Sequence, residues 1–178
     1  MPSPIGHVLG GVAVAYVVGG RGGWRLPAVC AVAAALPDID FLLPLPHRGP
    51  THSIIAAAFA FSAALAFVAT GKGRARIASA VGLAVLSHVL LDWLGEDSSA
   101  PRGVMALWPL TSAYYVSDLN VFNAVDRRYW LPGFWWRNTV AISRESLILG
   151  PVAILSALTA TRRGQRRHAA GRKQHINR

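Results

Sequence analysis

The sequence IASAVGLAVLSHVLLDWL, residues 77–94, indicates the fold class of this chain. It is almost entirely apolar and approaches the roughly 20 residues that a helix needs to cross a bilayer. His88 and Asp92 interrupt it, and their spacing of four puts them on one face of a helix, one turn apart. Ionisable side chains in membrane segments usually face an interior or wet cavity and by default suggest function. A buried hydrogen-bonded pair without a metal is the alternative for these two residues alone.

Four other apolar stretches lie at residues 5–20, 26–36, 53–70 and 146–160. The stretch at 53–70 also approaches spanning length, whereas 26–36 is short enough to be re-entrant or buried against its neighbours. All are rich in Ala, Val, Leu and Gly, which let helices approach closely, and none shows strand-like alternation. The pattern predicts an all-α, multi-pass transmembrane helix bundle of about four to five apolar helices, forming a single domain over residues 1–161.

Composition and charge agree with a membrane location. The chain of 178 residues is 53% hydrophobic and 15% charged, with a mean hydropathy of +0.37, whereas soluble domains are roughly 25% charged. A net charge of +10 is compatible with nucleic acid as a partner, but much of that charge lies in residues 162–178 and in two short Gly-rich loops. This distribution follows membrane topology and argues against nucleic acid. The single cysteine, Cys30, excludes an intramolecular disulfide and a cysteine-based zinc site.

The distribution of charge also predicts an orientation. If the five helices alternate in direction, all eight acids share one face, and the basic loops at 19–25 and 71–76 share the other with the tail. The positive-inside rule then puts the tail in the cytoplasm and the acidic face outside an inner, cytoplasmic-type membrane. The tail, residues 162–178, is predicted to be disordered and to be able to bind anionic lipid or a cytoplasmic protein.

A long connection, residues 95–144, carries clusters of aromatic residues. Tyr129-Trp130 and Phe134-Trp135-Trp136 suit the membrane–water interface, where amphipathic rings settle. Ordinary packing against the bundle is the alternative.

Histidines and aspartates from distant segments converge on the acidic face. They are His7, Asp38, Asp40, His47, His52, His88 and Asp92. Imidazole nitrogen and carboxylate oxygen suit zinc, manganese or iron. Seven such residues exceed the needs of one tetrahedral ion and fit two ions about 3.5–4 Å apart, as in many two-metal hydrolases. In that case Arg48 is expected to clamp an anionic oxygen of the substrate, and Asp40 or His47 to act as general base or to orient a ligand.

Each residue alone has a structural explanation. His7 is compatible with packing, Asp38 and Asp40 with helix ends, and Thr51 or Ser53 with the cap of a helix. A shared site is the better interpretation because these three explanations, and the hydrogen-bonded pair of His88 and Asp92 as a fourth, would otherwise have to hold independently at one membrane face.

Three motifs resemble a known family. The sequences LPDID (36–40), HRGPTHS (47–53) and SHVLLD (87–92), with the early His7 and GVMALWP (103–109), resemble the membrane-bound metal-dependent hydrolases. These are described as inner-membrane-associated hydrolases that bind the LexA repressor and are distantly similar to the zinc-dependent phospholipase C and single-strand nuclease superfamily. The resemblance implies that the metal ligands are His7, Asp38, His52, His88 and Asp92. The superfamily's ligating N-terminal tryptophan and second downstream His-x-x-x-Asp pair have no counterpart here, so one or two ions are expected, with zinc first.

The expected function is therefore metal-dependent hydrolysis of a phosphoester or related ester in a membrane-associated substrate. The main alternative is a protein without enzymatic activity, whose same residues form a pathway for protons or metal ions. A third interpretation is an adaptor that binds its partner through the basic tail.

Overall fold

The fold is all-helical in the part of the chain that the structure, a computed structural model, describes: residues 1–20, 23–42, 46–68 and 71–176, with side chains given up to residue 166 except at 68 and 72. These residues contain no β-strand, which confirms the predicted all-α class. The five α-helices are α1 (Pro4–Val14), α2 (Arg25–Ala35), α3 (Ile54–Ala63), α4 (Arg74–Leu94) and α5 (Phe134–Ile176).

Local sequence explains where α1, α2 and α3 begin or end. Ser3 caps α1 by accepting a hydrogen bond from the N–H of Gly6, and Ser53 caps α3 by accepting one from Ala56. Pro37 has no N–H to donate, and α2 gives way to a 3₁₀ segment, Leu36–Leu42. Two further turns extend helices as π-helix: Ala15–Gly19 after α1 and Ala64–Val68 after α3.

Helix α4 forms the centre of the bundle. It contacts α1, α2 and α3, while α5 packs against α1. The contacts are close because the core consists mainly of alanine, valine and glycine. Gly11 shows this: a Cβ atom there would collide with the carbonyl of Cys30 and lie 2.8 Å from the Cβ of Ala34. The small-residue composition therefore determines how closely α1 and α2 approach.

Among the described residues, two helical segments are long and apolar enough to cross a membrane, Arg74–Leu94 and Phe134–Arg166. The segments Pro4–Gly19 and Ile54–Phe67 are apolar but shorter. The apolar stretch at 53–70 thus contains a shorter helix than the sequence suggested, and a bundle of four to five spans stays a prediction.

Residues 95–133 form an irregular segment over one end of the bundle. It is held by isolated bridges, Gly95 with Phe122 and Val104 with Tyr115. Four aromatic side chains near its end are 67–79% exposed, as expected at a membrane–water interface: Tyr129, Trp130, Trp135 and Trp136. Beyond residue 161 the structure continues α5 to Ile176, where the sequence predicts disorder. The side chains of the basic tail from residue 167 onward, on which its predicted partners depend, lie outside the described residues.

Candidate metal centre

Four separate segments meet at the end of the bundle below the irregular segment. His7 comes from the first turns of α1, and Asp38 from the 3₁₀ segment after α2. His52 lies in the short turn Pro50–His52 before α3, and His88 and Asp92 lie in the last two turns of α4. The structure brings these five predicted ligands together, and we call them the His/Asp cluster.

Asp92 is the centre of the cluster. Its Oδ1 lies 3.4 Å from Nε2 of His7, and its Oδ2 lies 3.3 Å from Nε2 of His88 and 3.5 Å from Nε2 of His52. One buried carboxylate thus faces three imidazoles, each from a different helix or turn.

Asp38 supplies a second carboxylate to the same imidazoles. Its Oδ1 lies 3.5 Å from Nε2 of His52 and 3.8 Å from Nε2 of His88, and its Oδ2 lies 4.0 Å from Nε2 of His7. The side chain of Asp38 is 24% exposed, whereas those of the three histidines and Asp92 are at most 2% exposed. Asp38 therefore lies on the side from which the cluster is accessible.

The hydrogen bond of His88 determines its tautomer. Its Nδ1 lies 2.7 Å from the carbonyl oxygen of Ala34, which can only accept a hydrogen bond. Nδ1 must therefore carry the proton, and in the neutral ring Nε2 presents its lone pair to the cluster. This is the arrangement in which a histidine binds a metal ion.

His52 is oriented in the same sense by a carboxylate. Its Nδ1 lies 3.4 Å from Oδ2 of Asp40 and 3.0 Å from the hydroxyl oxygen of Thr51. The carboxylate favours a proton on Nδ1, so that Nε2 of His52 also directs a lone pair into the cluster. A carboxylate behind a ligating imidazole is common in metal sites.

Atoms without hydrogen-bond partners indicate what the cluster can bind. Within the described residues, five buried side-chain atoms have no hydrogen-bond partner: Nδ1 of His7, Nε of Arg48, Nε2 of His52, Nε2 of His88 and Oδ1 of Asp92. Buried polar atoms are nearly always partnered, so the last three, which face one another in the cluster, need an explanation. Potential ligand atoms of His7, His88 and Asp92 lie within 4.8 Å of one another, and so do those of Asp38, His52 and His88. The donor set fits one or two divalent cations.

Asp40 organises the residues behind the cluster. It is 1% exposed, and its carboxylate accepts hydrogen bonds from the backbone N–H of Arg48 at 2.9 Å and the hydroxyl of Thr51 at 3.1 Å. Nδ1 of His47 lies 2.8 Å from Oδ1 of Asp40. Nδ1 of His52 lies 3.4 Å from Oδ2 of Asp40. Because both carboxylate oxygens already have partners, Asp40 has little capacity left to act as a base. The geometry favours a positioning role for this residue over general-base catalysis.

Arg48 does not fit its predicted role as a clamp for a substrate anion. Its side chain is 7% exposed and forms a buried ion pair with Asp97 through Nη1, while Nη2 donates to the hydroxyl of Ser99 at 2.9 Å. Asp97 also accepts a hydrogen bond of 2.7 Å from the N–H of Gly103. Arg48 therefore attaches the turn before His52 to the irregular segment, and this prediction is corrected.

His47 lies between Asp40 and a cation that sequence reasoning missed. Nε2 of His47 is 3.3 Å from Nη2 of Arg127, whose guanidinium carbon lies 3.5 Å from the ring centroid of Phe41. Burial lowers the pKa of His47 below its usual value, against the hydrogen bond to Asp40, which raises it. His47 is therefore neutral near pH 7, with Nε2 accepting a hydrogen bond from Arg127.

A family comparison agrees with the membrane location. The model of the YdjM inner membrane protein family matches residues 1–169. This chain belongs to that family. The YdjM match and the two long apolar helices support membrane association. No curated protein and no solved structure matches the chain. Hydrolase activity, the metal and binding of LexA stay predictions.

Two further residues near the cluster were not anticipated. Arg127 sits in the mixed-charge run Asp126-Arg127-Arg128, in which nothing distinguishes one arginine from the other before the chain is folded. Asp97 follows the end of α4 by three residues. An acid so close to the end of an apolar helix was the one sequence feature that could have indicated a role near the cluster. Neither has a sequence spacing that connects it to the cluster.

Proposed function

We propose that this YdjM-family protein is a metal-dependent hydrolase that acts on a phosphoester or related ester of a membrane-associated substrate. The observation that carries the proposal is the set of unpartnered, buried donor atoms on His52, His88 and Asp92. A cluster that served only to stabilise the fold would be expected to satisfy these atoms internally.

The residues proposed to hold the ion or ions are the five of the His/Asp cluster. Zinc is the first choice for this set of nitrogen and oxygen donors, with manganese or iron as alternatives. When bound, a divalent cation there supplies Lewis acidity, which lowers the pKa of water and neutralises charge that develops on the attacked group.

His47 is the residue that we assign to proton transfer. Its Nδ1 is held by Asp40, it is neutral near pH 7, and it lines the cavity outside the cluster, where its Nε2 would take up a proton in exchange for the hydrogen bond that it accepts from Arg127. Asp40 orients both His47 and His52 and is assigned as a positioning residue. This division follows from the hydrogen bonds that already occupy the Asp40 carboxylate.

The proposal includes an arrangement in the membrane. The segments Arg74–Leu94 and Phe134–Arg166 would cross the bilayer, and the shorter apolar helices would complete a multi-pass bundle. The cluster end, with the irregular segment, would face outward and the basic end would face the cytoplasm. There the tail would be available to anionic lipid or a cytoplasmic protein.

The test compares Asp92→Asn with a matched control, Asp118→Asn. Asn keeps the size of Asp92 but removes the charge that faces three imidazoles, so metal content should fall at least about 10–100-fold. Asp118 also lies beyond α4, but it is 66% exposed and pairs only with Arg102, so its replacement should change nothing. Metal content of the detergent-purified protein is measured beside hydrolysis of a phosphodiester and a phospholipid with added zinc or manganese.

Three results would contradict the proposal in different ways. If Asp92→Asn matches wild type in metal content and activity, the cluster is structural. Metal binding without hydrolysis of a broad ester panel, together with metal transport in vesicles, would favour the pathway. A wild-type protein that binds no metal would favour the adaptor.

A further inference from the structure

A basic cavity lies next to the His/Asp cluster. It has a volume of about 780 Å³ and is formed between the chain after α4, residues 123–131 and the first turns of α5. His47, Arg127 and Trp136 are among its lining residues, and His47 connects it to the cluster through Asp40. Trp136 is 73% exposed and is one of the four exposed aromatic residues described above. Such residues settle at the membrane–water interface, so the cavity is expected at the level of the lipid headgroups.

Among the four arginines that line this cavity, Arg127 is the one without a carboxylate partner within the described residues. Arg48 is paired with Asp97, and Arg128 and Arg137 are both paired with Asp126. Within the described part of the chain, no carboxylate oxygen lies within 4.0 Å of the Arg127 guanidinium. That guanidinium is instead held in place by the ring of Phe41 and by His47. It is thus oriented and exposed, as an anion-binding group would be.

A second, apolar groove reaches the cluster from the other side. It has a volume of about 430 Å³ and runs between α1 and α2, where Val8, Ala31 and Val32 line it. Asp38 is the one ionisable residue among its lining residues, and Asp38 also belongs to the cluster. The groove is open to the exterior along α2, since Val32 is 64% exposed. Apart from Asp38 its lining is apolar, as a site for a hydrocarbon chain requires.

We propose that the ligand of this site is an anionic lipid, whose phosphate binds Arg127 in the basic cavity and whose hydrocarbon chain occupies the groove between α1 and α2. The proposal rests on the proposed function and deepens it, because it places the ester bond of the lipid between the basic cavity and the groove, beside the His/Asp cluster. It also gives the role once expected of Arg48 to Arg127. The basic cavity suits the charged half of an amphipathic molecule and the groove suits its apolar half. A member of an inner membrane protein family is surrounded by such molecules.

Binding is tested apart from catalysis. The full-length protein, in detergent micelles with a chelator, is titrated with phosphatidylglycerol carrying brominated chains, and quenching of tryptophan fluorescence is followed. Arg127→Gln should weaken the affinity about 10–100-fold, the usual loss for a bond to a charged group. Arg102→Gln is the matched control because Arg102 is 55% exposed and lies outside the cavity lining; its affinity should stay within twofold of wild type. Thermal unfolding of each variant checks that it is folded.

Two further arms separate the headgroup from the chain. Glycerol phosphate, which has no hydrocarbon chain, should compete only weakly with the brominated lipid. Ala31→Phe, which fills the groove, should lower the affinity for the lipid but not the affinity for glycerol phosphate. Brominated phosphatidylcholine, which has no net charge, should bind less tightly than phosphatidylglycerol. Its affinity should also fall less when Arg127 is replaced by Gln.

The outcomes distinguish this inference from the proposed function. If Arg127→Gln binds phosphatidylglycerol as tightly as wild type, the inference is wrong even if the protein hydrolyses esters. If glycerol phosphate competes as well as the lipid, the ligand is a soluble phosphate and the groove is not part of the site. Arg127-dependent lipid binding without any hydrolysis would support the inference and contradict the proposed enzyme.

Discussion

Replacement of Asp40 by Asn tests whether the cluster depends on the residue behind it. Asp40 touches none of the proposed metal ions in our assignment, yet it orients His52 at 3.4 Å and His47 at 2.8 Å. Asn has the same shape, but it offers one acceptor oxygen instead of two and carries no charge. The variant therefore removes the orienting charge while leaving the cluster residues unchanged.

The expected magnitude follows from these contacts. If the amide oxygen of Asn takes the place of Oδ2, it can still accept hydrogen bonds from Arg48 and Thr51 and lie 3.4 Å from Nδ1 of His52, but as a neutral group. Interactions with charged groups contribute about 1.5–3 kcal/mol and neutral ones about 0.5–1.5 kcal/mol, so the interaction with His52 weakens by about 1–1.5 kcal/mol. Loss of such an orienting partner typically lowers metal affinity by 10–100-fold, or about 1.4–2.7 kcal/mol.

Metal affinity is measured by competition with a chelator of known affinity, using purified wild type, Asp40→Asn and Asp92→Asn, with Asp118→Asn as control. Asp40→Asn should bind zinc about 10–100-fold more weakly than wild type and recover activity at raised zinc. Asp92→Asn should lose more zinc affinity than Asp40→Asn and recover less activity at raised zinc. Equal affinities for wild type and Asp40→Asn would refute the orienting role, and a loss larger than that of Asp92→Asn would make Asp40 itself a ligand.

Two other predictions concern the fold and its orientation. Glu145, which is fully buried in α5, accepts a 2.7 Å hydrogen bond from the N–H of Ser3 and another from its hydroxyl. Glu145→Ala should therefore lower the free energy of unfolding by about 1–3 kcal/mol in thermal or denaturant melts, whereas Glu145→Gln, which can pair with both groups of Ser3, should lose less. For orientation, a cysteine at Gly73 should react with an impermeant reagent only after the membrane is opened, and one at Leu119 should react in intact cells. The reverse labelling pattern would put the cluster on the cytoplasmic side.

The sequence by itself was sufficient to predict the helical fold and the residues of the cluster. Apolar stretches predicted helices, and the alternation of helix direction predicted that His7, Asp38, His52 and the pair on α4 would meet at one end. These features are readable because hydropathy and helical spacing are properties of short segments. The number of spans stays a prediction, because α3 with the π-helical turn that extends it is shorter than the roughly 20 residues that cross a bilayer.

Only the tertiary structure decided which atoms of those residues are available and which neighbours assist them. The proton of His88 is located by the carbonyl of Ala34, 54 positions earlier in the chain, and nothing near His88 in sequence indicates that partner. Arg48 was expected to clamp an anionic oxygen of the substrate, but Asp97 pairs with it, and Arg127 from a distant segment lies beside His47. A side chain's residue type is set by sequence, whereas its free lone pairs and unneutralised charge depend on every segment that packs against it.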